Sequence, residues 1–381
     1  MLDAVLTDLL KPWRLAVLVL SLVVSVLVVA ASDQVDAQAD AVIVLATTLE
    51  TPVLERITSA VTDEPEVLET SVAGVPATVA RPGGGGGSPT LVVVNGAAER
   101  GRRDPVLQRL ARGLARAGYV VFVPDLPGLA RGELSEETVQ ATIDVAREAG
   151  ERVGLVGVSV GTSLALVAAA DEALAGRVSV VTGTAPYADL SNLVRLATTG
   201  YYRDGDLLVP YETDPFLAVA VARSITRALP PGPERERMLA RVEELDDDAD
   251  DPLAPLRALP RETLQPEARR LVELLANEDP RRFDELYGAA PEELRTIVER
   301  LSPLSGADRV TAQVELATAP DDQYVPLAEP RSFIRAAPNA RLTITRTLEH
   351  AVPEPSAGSF RELLRFNGWV VRSLRAAASP E

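Results

Sequence analysis

A serine flanked two positions away on both sides by glycine, Gly157-Val158-Ser159-Val160-Gly161, sits between the apolar run "RVGLVGVSVG" (152–161) and the helix-forming run "TSLALVAAA" (162–170). The pattern alone is short enough to arise by chance, but its strand–turn–helix setting gives it mechanical sense. A serine held in a strained turn there projects its Oγ above the sheet. The flanking positions must lack side chains because neighbouring turns pass close by. The helix that follows aims its N–H groups and positive dipole end at a reacting carbonyl. A serine hydroxyl needs a base. The chain has one histidine, His350 in "TLEHAVP", and no cysteine. The base in turn needs an orienting carboxylate. Asp321 and Asp322 in "APDDQYVP" (319–326) are the candidates, with Asp189 a distant third. Each has a plainer reading: a lone histidine without a catalytic role, and a Pro-Asp-Asp turn. Together they describe nucleophilic acyl transfer.

The elements that would hold these residues are legible along the chain. "EVLETSVAG" and "VPATVARP" form two strands around a turn. "TLVVVNG" (90–96), "YVVFVPDLPG" (119–128), 152–161 and "RVSVVTGTAP" (177–186) are continuous apolar runs of the kind buried on both faces of a sheet. Helices separate them: 105–117, with Val106, Leu110, Leu114 and Ala117 on one face, and 135–149, capped by Ser135. Strands return at "TAQVELATAP" (311–320) and "ARLTITRTL" (340–348). A closing helix over 356–377 carries Leu363, Phe366, Val370 and Leu374 on one face. Alternating strands and helices predict an α/β fold with a mostly parallel sheet, helices on both faces and an antiparallel edge. From 187 to 306, Pro-punctuated helical segments replace the strands and read as an insertion. "GGGGGSP" (83–89) lacks the Gly-Lys-Ser/Thr ending of a phosphate loop. "DDDADD" (246–251) reads as a solvated acidic loop.

With Ser159, an acidic residue and His350 in that order, the chain resembles the α/β-hydrolase superfamily over about residues 66–377. "YVVFVPDLPGLARGE" is similar to a family stretch, with Asp125, Pro127 and Gly128 in register. "TAPDDQYVP" is similar to the family's Asp-x-x-Val-Pro, which puts the triad acid on Asp322 rather than Asp321. The resemblance implies an eight-stranded α/β-hydrolase core (66–186 and 307–381) and a helical cap (187–306). It implies a catalytic triad Ser159, Asp322 and His350, and no metal or organic cofactor. It looks closest to bacterial serine esterases and dienelactone-hydrolase-like or peptidase-like members. Serine at 159, rather than cysteine or aspartate, disfavours dienelactone hydrolase, dehalogenase and epoxide hydrolase chemistry. The family usually carries His-Gly after the first parallel strand, where this chain has Asn95-Gly96-Ala97. Backbone N–H groups of Val160 and Ala97 would then form the oxyanion hole. Phe216, Leu217 and Val221 in the insertion could meet an apolar acyl chain. The expected activity is carboxylic ester hydrolysis on a small-molecule or lipid-like ester. A peptidase, an acyltransferase or an inactive relative used for binding are the alternatives.

The N-terminus and charge bound the setting. Residues 15–31, "LAVLVLSLVVSVLVVAA", are at the lower length limit for a membrane-spanning helix. Lys11 and Arg14 precede them; Asp33, Asp36 and Asp40 follow. The positive-inside bias predicts a cytoplasmic segment at 1–14, an anchor at 15–31 and an extracytoplasmic remainder, joined by a juxtamembrane stretch at 32–65. A cleaved signal, with Ala37-Gln38-Ala39 as its processing site, would make the protein secreted. A second apolar run from residue 41 is too short to span; it either packs on the domain or rests at the membrane surface. A formal net charge of −17 argues against nucleic acid as a partner.

Overall fold

The structure, a computed structural model, describes residues 35–48, 58, 60, 62–84, 88–353 and 360–379. The expected anchor at 15–31 lies outside these residues. Among the described residues no helix is long and apolar enough to cross a membrane.

Eight strands form one sheet: β1 (Glu66–Val72), β2 (Val75–Arg81), β3 (Thr90–Val94), β4 (Val120–Pro124), β5 (Val153–Val158), β6 (Val178–Thr184), β9 (Gln313–Thr318) and β10 (Ala340–Ile344). Their order across the sheet is β1-β2-β4-β3-β5-β6-β9-β10. β1 and β2 pair antiparallel at one edge; from β4 onward every pairing is parallel. All seven residues of β6 are buried, as a central strand covered on both faces requires. Two short hairpins stand apart: β7 (Tyr201–Asp204) with β8 (Leu207–Pro210), and β11 (Leu348–Glu349) with β12 (Val352–Pro353). The strand expected over 340–348 therefore ends at Ile344, and its last residues turn into the β11–β12 hairpin that carries His350.

Two cores cover the two faces of the sheet. On one face lie α1 (Val35–Thr48), α2 (Pro105–Arg116) and the closing helix, here α13 (Phe360–Ala378). The apolar run that begins at residue 41 is, over 41–48, part of α1, which buries Ala41 and Val44 against α2 and α13. Gly113 on α2 makes that approach possible. A Cβ there would stand 3.2 Å from the Val44 carbonyl oxygen and from Thr47 Cβ. Tyr119 Oη donates to the Leu374 carbonyl, pinning α13 at the N-terminal end of β4. The buried face of α2 is Leu107, Ala111, Leu114 and Ala115. Of the residues expected on one face, Leu114 is buried, Leu110 and Ala117 pack partly buried against the same core, and Val106, Leu110 and Leu114 also border a cavity.

The second face carries α3 (Glu136–Ala149), α4 (Val160–Ala169) and the segment between β6 and β9. That segment holds α5 (Leu190–Thr199), the β7–β8 hairpin, α6 (Phe216–Thr226), α7 (Pro233–Glu243), α8 (Ala254–Arg257), α9 (Pro266–Leu275), α10 (Phe283–Ala289) and α11 (Glu292–Arg300). Its apolar side chains, among them Val219, Val242, Leu271 and Leu294, are continuous with Leu155 and Leu164 under the sheet. The acidic run 246–251 lies outside this core, and Asp251 pairs with Arg257. α12 (Ala328–Ala336) completes the fold between β9 and β10.

Candidate active site

Ser159 follows β5 directly with φ 52° and ψ −128°, a backbone conformation that non-glycine residues rarely adopt. Its neighbours explain the two glycines. A Cβ at Gly157 would stand 2.6 Å from the Thr162 nitrogen, and one at Gly161 would stand 2.8 Å from the Asn95 carbonyl carbon. Both are backbone atoms that cannot yield, so any larger residue would push the turn apart. Thr162 Oγ1 ties the turn to β6 through the Thr184 carbonyl at 2.8 Å, and the Ser159 N–H bonds the same oxygen at 3.0 Å.

His350 is held the same way. It occupies the two-residue turn between β11 and β12 with φ 51°. Glycine is the usual occupant of such a position. The turn aims Nε2 at Ser159 Oγ, 2.7 Å away. Nδ1 lies 2.9 and 2.8 Å from the two oxygens of Asp322. Asp322 has no exposed side-chain surface. Its Oδ1 also accepts the N–H groups of Tyr324 and Val325, at 2.8 and 2.9 Å. These bonds fix the carboxylate plane against the ring. Asp321, one residue earlier, is exposed and pairs with Arg346 at 2.8 Å. Asp189 is elsewhere, capping α5 through the Ser191 N–H.

A strained serine turn after the fifth strand, in a sheet of this order, with Asp322 after β9 and His350 after β10, decides the architecture. The structure has the α/β-hydrolase fold. No family model matches the chain, and no curated protein matches it significantly. Among solved structures it is similar to Pyrococcus horikoshii acylaminoacyl peptidase (14% identity, TM-score 0.49), over 86% of this chain and 44% of that one. The chain thus spans less than half the length of that peptidase. It is also similar to a Pyrococcus furiosus esterase (14% identity, TM-score 0.43, 83% of this chain and 92% of that one). A hormone-sensitive lipase from a metagenome library is a third likeness (10% identity, TM-score 0.44, 83% and 86%).

Within this α/β-hydrolase fold, Val160 is the first residue of α4, so its N–H has no acceptor inside the helix. Gly96 packs on the Ser159 turn: a Cβ there would stand 3.3 Å from Ser159 Cβ and 3.0 Å from the Val158 carbonyl oxygen. Ala97 follows it and lines the same cavity as Ser159, Val160 and His350. Asn95 is buried and donates to the Gly96 carbonyl at 2.9 Å, acting as a local turn residue.

The cavity measures about 570 Å³, within the roughly 300–1,000 Å³ usual for small-molecule sites. Phe216 and Leu217 line it. Val221 does not: one turn beyond Leu217 and rotated about 140° from Phe216, it is 3% exposed and packs in the core of the helical segment.

Several contributors escaped the sequence reading. The Tyr324 ring lies 4.5 Å from the His350 ring and edge-on to Phe216 at 6.4 Å. Burial, followed by the nearby Asp214 carboxylate, pushes the Tyr324 hydroxyl up to about 12. It is therefore neutral at ordinary pH. Tyr211 Oη donates to the Asp322 carbonyl. Tyr324 stands two residues from Asp322, and that spacing was the available signal; Tyr211 offered none. The wall supplied by α1 was signalled only by Ala41, Val44, Leu45 and Thr48 recurring at helical spacing.

Proposed function

We propose that the protein is a serine hydrolase of carboxylic esters. The observation that carries this reading is the chain of short contacts from Ser159 Oγ through His350 to the buried Asp322. Ser159 attacks the acyl carbonyl and its proton passes to His350 Nε2. Asp322 holds the Nδ1–H tautomer and stabilises the imidazolium that forms. The N–H groups of Val160 and Ala97 take the developing oxyanion. His350 then returns the proton to the leaving alcohol, and water, activated by the same base, releases the acid from the acyl-enzyme. The lining of the cavity is mainly hydrocarbon, which favours the apolar acyl group of an ester over a peptide. The helical segment 187–306 acts as the cap: Phe216 and Leu217 lie over the cavity. Residues 15–31 anchor the chain with its catalytic domain outside the cytoplasm, as Lys11 and Arg14 before the run and Asp33 and Asp36 after it favour.

Fluorophosphonate labelling of the full chain tests this reading. Wild type is expected to label, and Ser159→Ala and His350→Ala are not. A folded wild type that resists the reagent would remove hydrolysis as the function.

A further inference from the structure

The cavity at Ser159 has a second arm that leaves the cap altogether. Val158, Val156 and Leu91 mark its course down the sheet face under α1, α2 and α13. Leu91 pairs in register with Gly154, four residues before Val158. At ~3.3 Å per strand residue, the arm descends about 13 Å from the nucleophile towards the N-terminal ends of the central strands. Glycine at 154 lets Leu91 settle against the strand at the deep end, since a Cβ there would stand 3.1 Å from the Val180 side chain and closer still to Leu91. On the far wall, Phe366, Val370, Leu374 and Ala377 follow one face of α13. From Phe366 to Ala377 that face rises about 16 Å at ~1.5 Å per residue, enough for an extended alkyl chain of about a dozen carbons. Val44, Leu45 and Thr48 of α1 form the roof. The polar atoms along this arm are answered within the protein: Thr182 and Ser373 hydroxyls bond each other at 2.7 Å, and Thr48 Oγ1 donates to the Val44 carbonyl at 2.7 Å. The arm is therefore lined mainly by hydrocarbon, and its hydroxyls are engaged within the protein. On the cap side Phe216 and Tyr324 line the cavity, edge-on to each other at 6.4 Å.

We propose that this arm is an acyl-chain channel, that the substrate is a long-chain acyl ester, and that the α1 helix is part of its binding site. The acyl chain lies against the sheet face rather than under the cap, and the leaving alcohol faces Phe216. This rests on the hydrolase reading for its chemistry but not for its binding. kcat/KM on p-nitrophenyl esters is expected to rise about fourfold per methylene up to about twelve carbons and then level off. In the full chain, Leu45→Trp and Ala377→Trp, which narrow the roof and the deep end, should lower the dodecanoate-to-butyrate ratio of kcat/KM at least tenfold. A diazirine-bearing palmitate should crosslink to residues 44–48 and 366–377, in wild type and in Ser159→Ala alike. A ratio within twofold of wild type in both folded variants, or crosslinks confined to 216–220, overturns the channel. Crosslinks on α1 and α13 without hydrolysis of any ester would uphold the channel and remove the hydrolase reading. Hydrolysis with a flat length profile and no such crosslinks would do the reverse.

Discussion

At Ser159 and His350 the backbone carries positive φ on residues with full side chains. Such conformations cost on the order of 1–3 kcal/mol each and persist only where the surroundings enforce them. Here two turns enforce them, and the result is an imidazole set between a hydroxyl and a fully buried carboxylate. Asp322→Asn should keep the fold, because the amide oxygen can still accept the Tyr324 and Val325 N–H groups. It should lower kcat by roughly 10⁴ by favouring the wrong tautomer. Asp321→Asn, which removes an exposed ion pair with Arg346, should change kcat less than twofold. Steady-state kinetics on a short ester separates the two; equal losses would reassign the acid.

Among the elements, close approaches decide most. Gly161 meets the end of β3, and Gly113 meets α1. Gly161→Ala sets a methyl against backbone carbonyls and should destabilise the protein by about 3 kcal/mol or more, read as a fall in urea midpoint with ester hydrolysis lost in parallel. Gly113→Val acts on a single helix instead. It should lift α1 from α2, raising hydrogen exchange across 35–48 while β5 and β6 stay protected. Uniform loss of protection over the whole sheet would show that α1 is not a separable layer.

Across the whole molecule, one buried acid couples the layers to pH. Glu329 on α12 accepts the N–H groups of Ala188 and Asp189 at 2.9 and 2.8 Å and the Asn192 amide at 2.6 Å, joining α12 to α5. Burial raises it to about 7 despite those bonds, from an ordinary value of 4.5. The folded protein therefore keeps a proton that the unfolded chain releases above 4.5. Stability contributed by this group is full below that value, falls as pH rises to about 7, and is level beyond. Urea denaturation at pH 5 and pH 8 should show a loss on the order of 3 kcal/mol from this source. Glu329→Gln should remove that share of the difference. An unchanged difference would mean that Glu329 is ionised throughout.

The sequence by itself determined the sheet and the strained turn at Ser159. Buried strands read as unbroken apolar runs, and glycine at 157 and 161 answers a local steric demand that a five-residue pattern can carry. The order of serine, acid and histidine was legible for the same reason, because each residue follows its own strand. Tertiary structure alone determined which aspartate meets the ring. Asp321 and Asp322 are adjacent in the chain, and only the turn that buries one and exposes the other tells them apart. It also determined that Val221 faces a core while Phe216 faces the cavity, a difference of rotation about one helix that apolar composition does not encode. The same holds for the arm under α1. Val44, Leu91, Val156 and Leu374 are far apart in sequence, and the space between them exists only where four elements fail to meet.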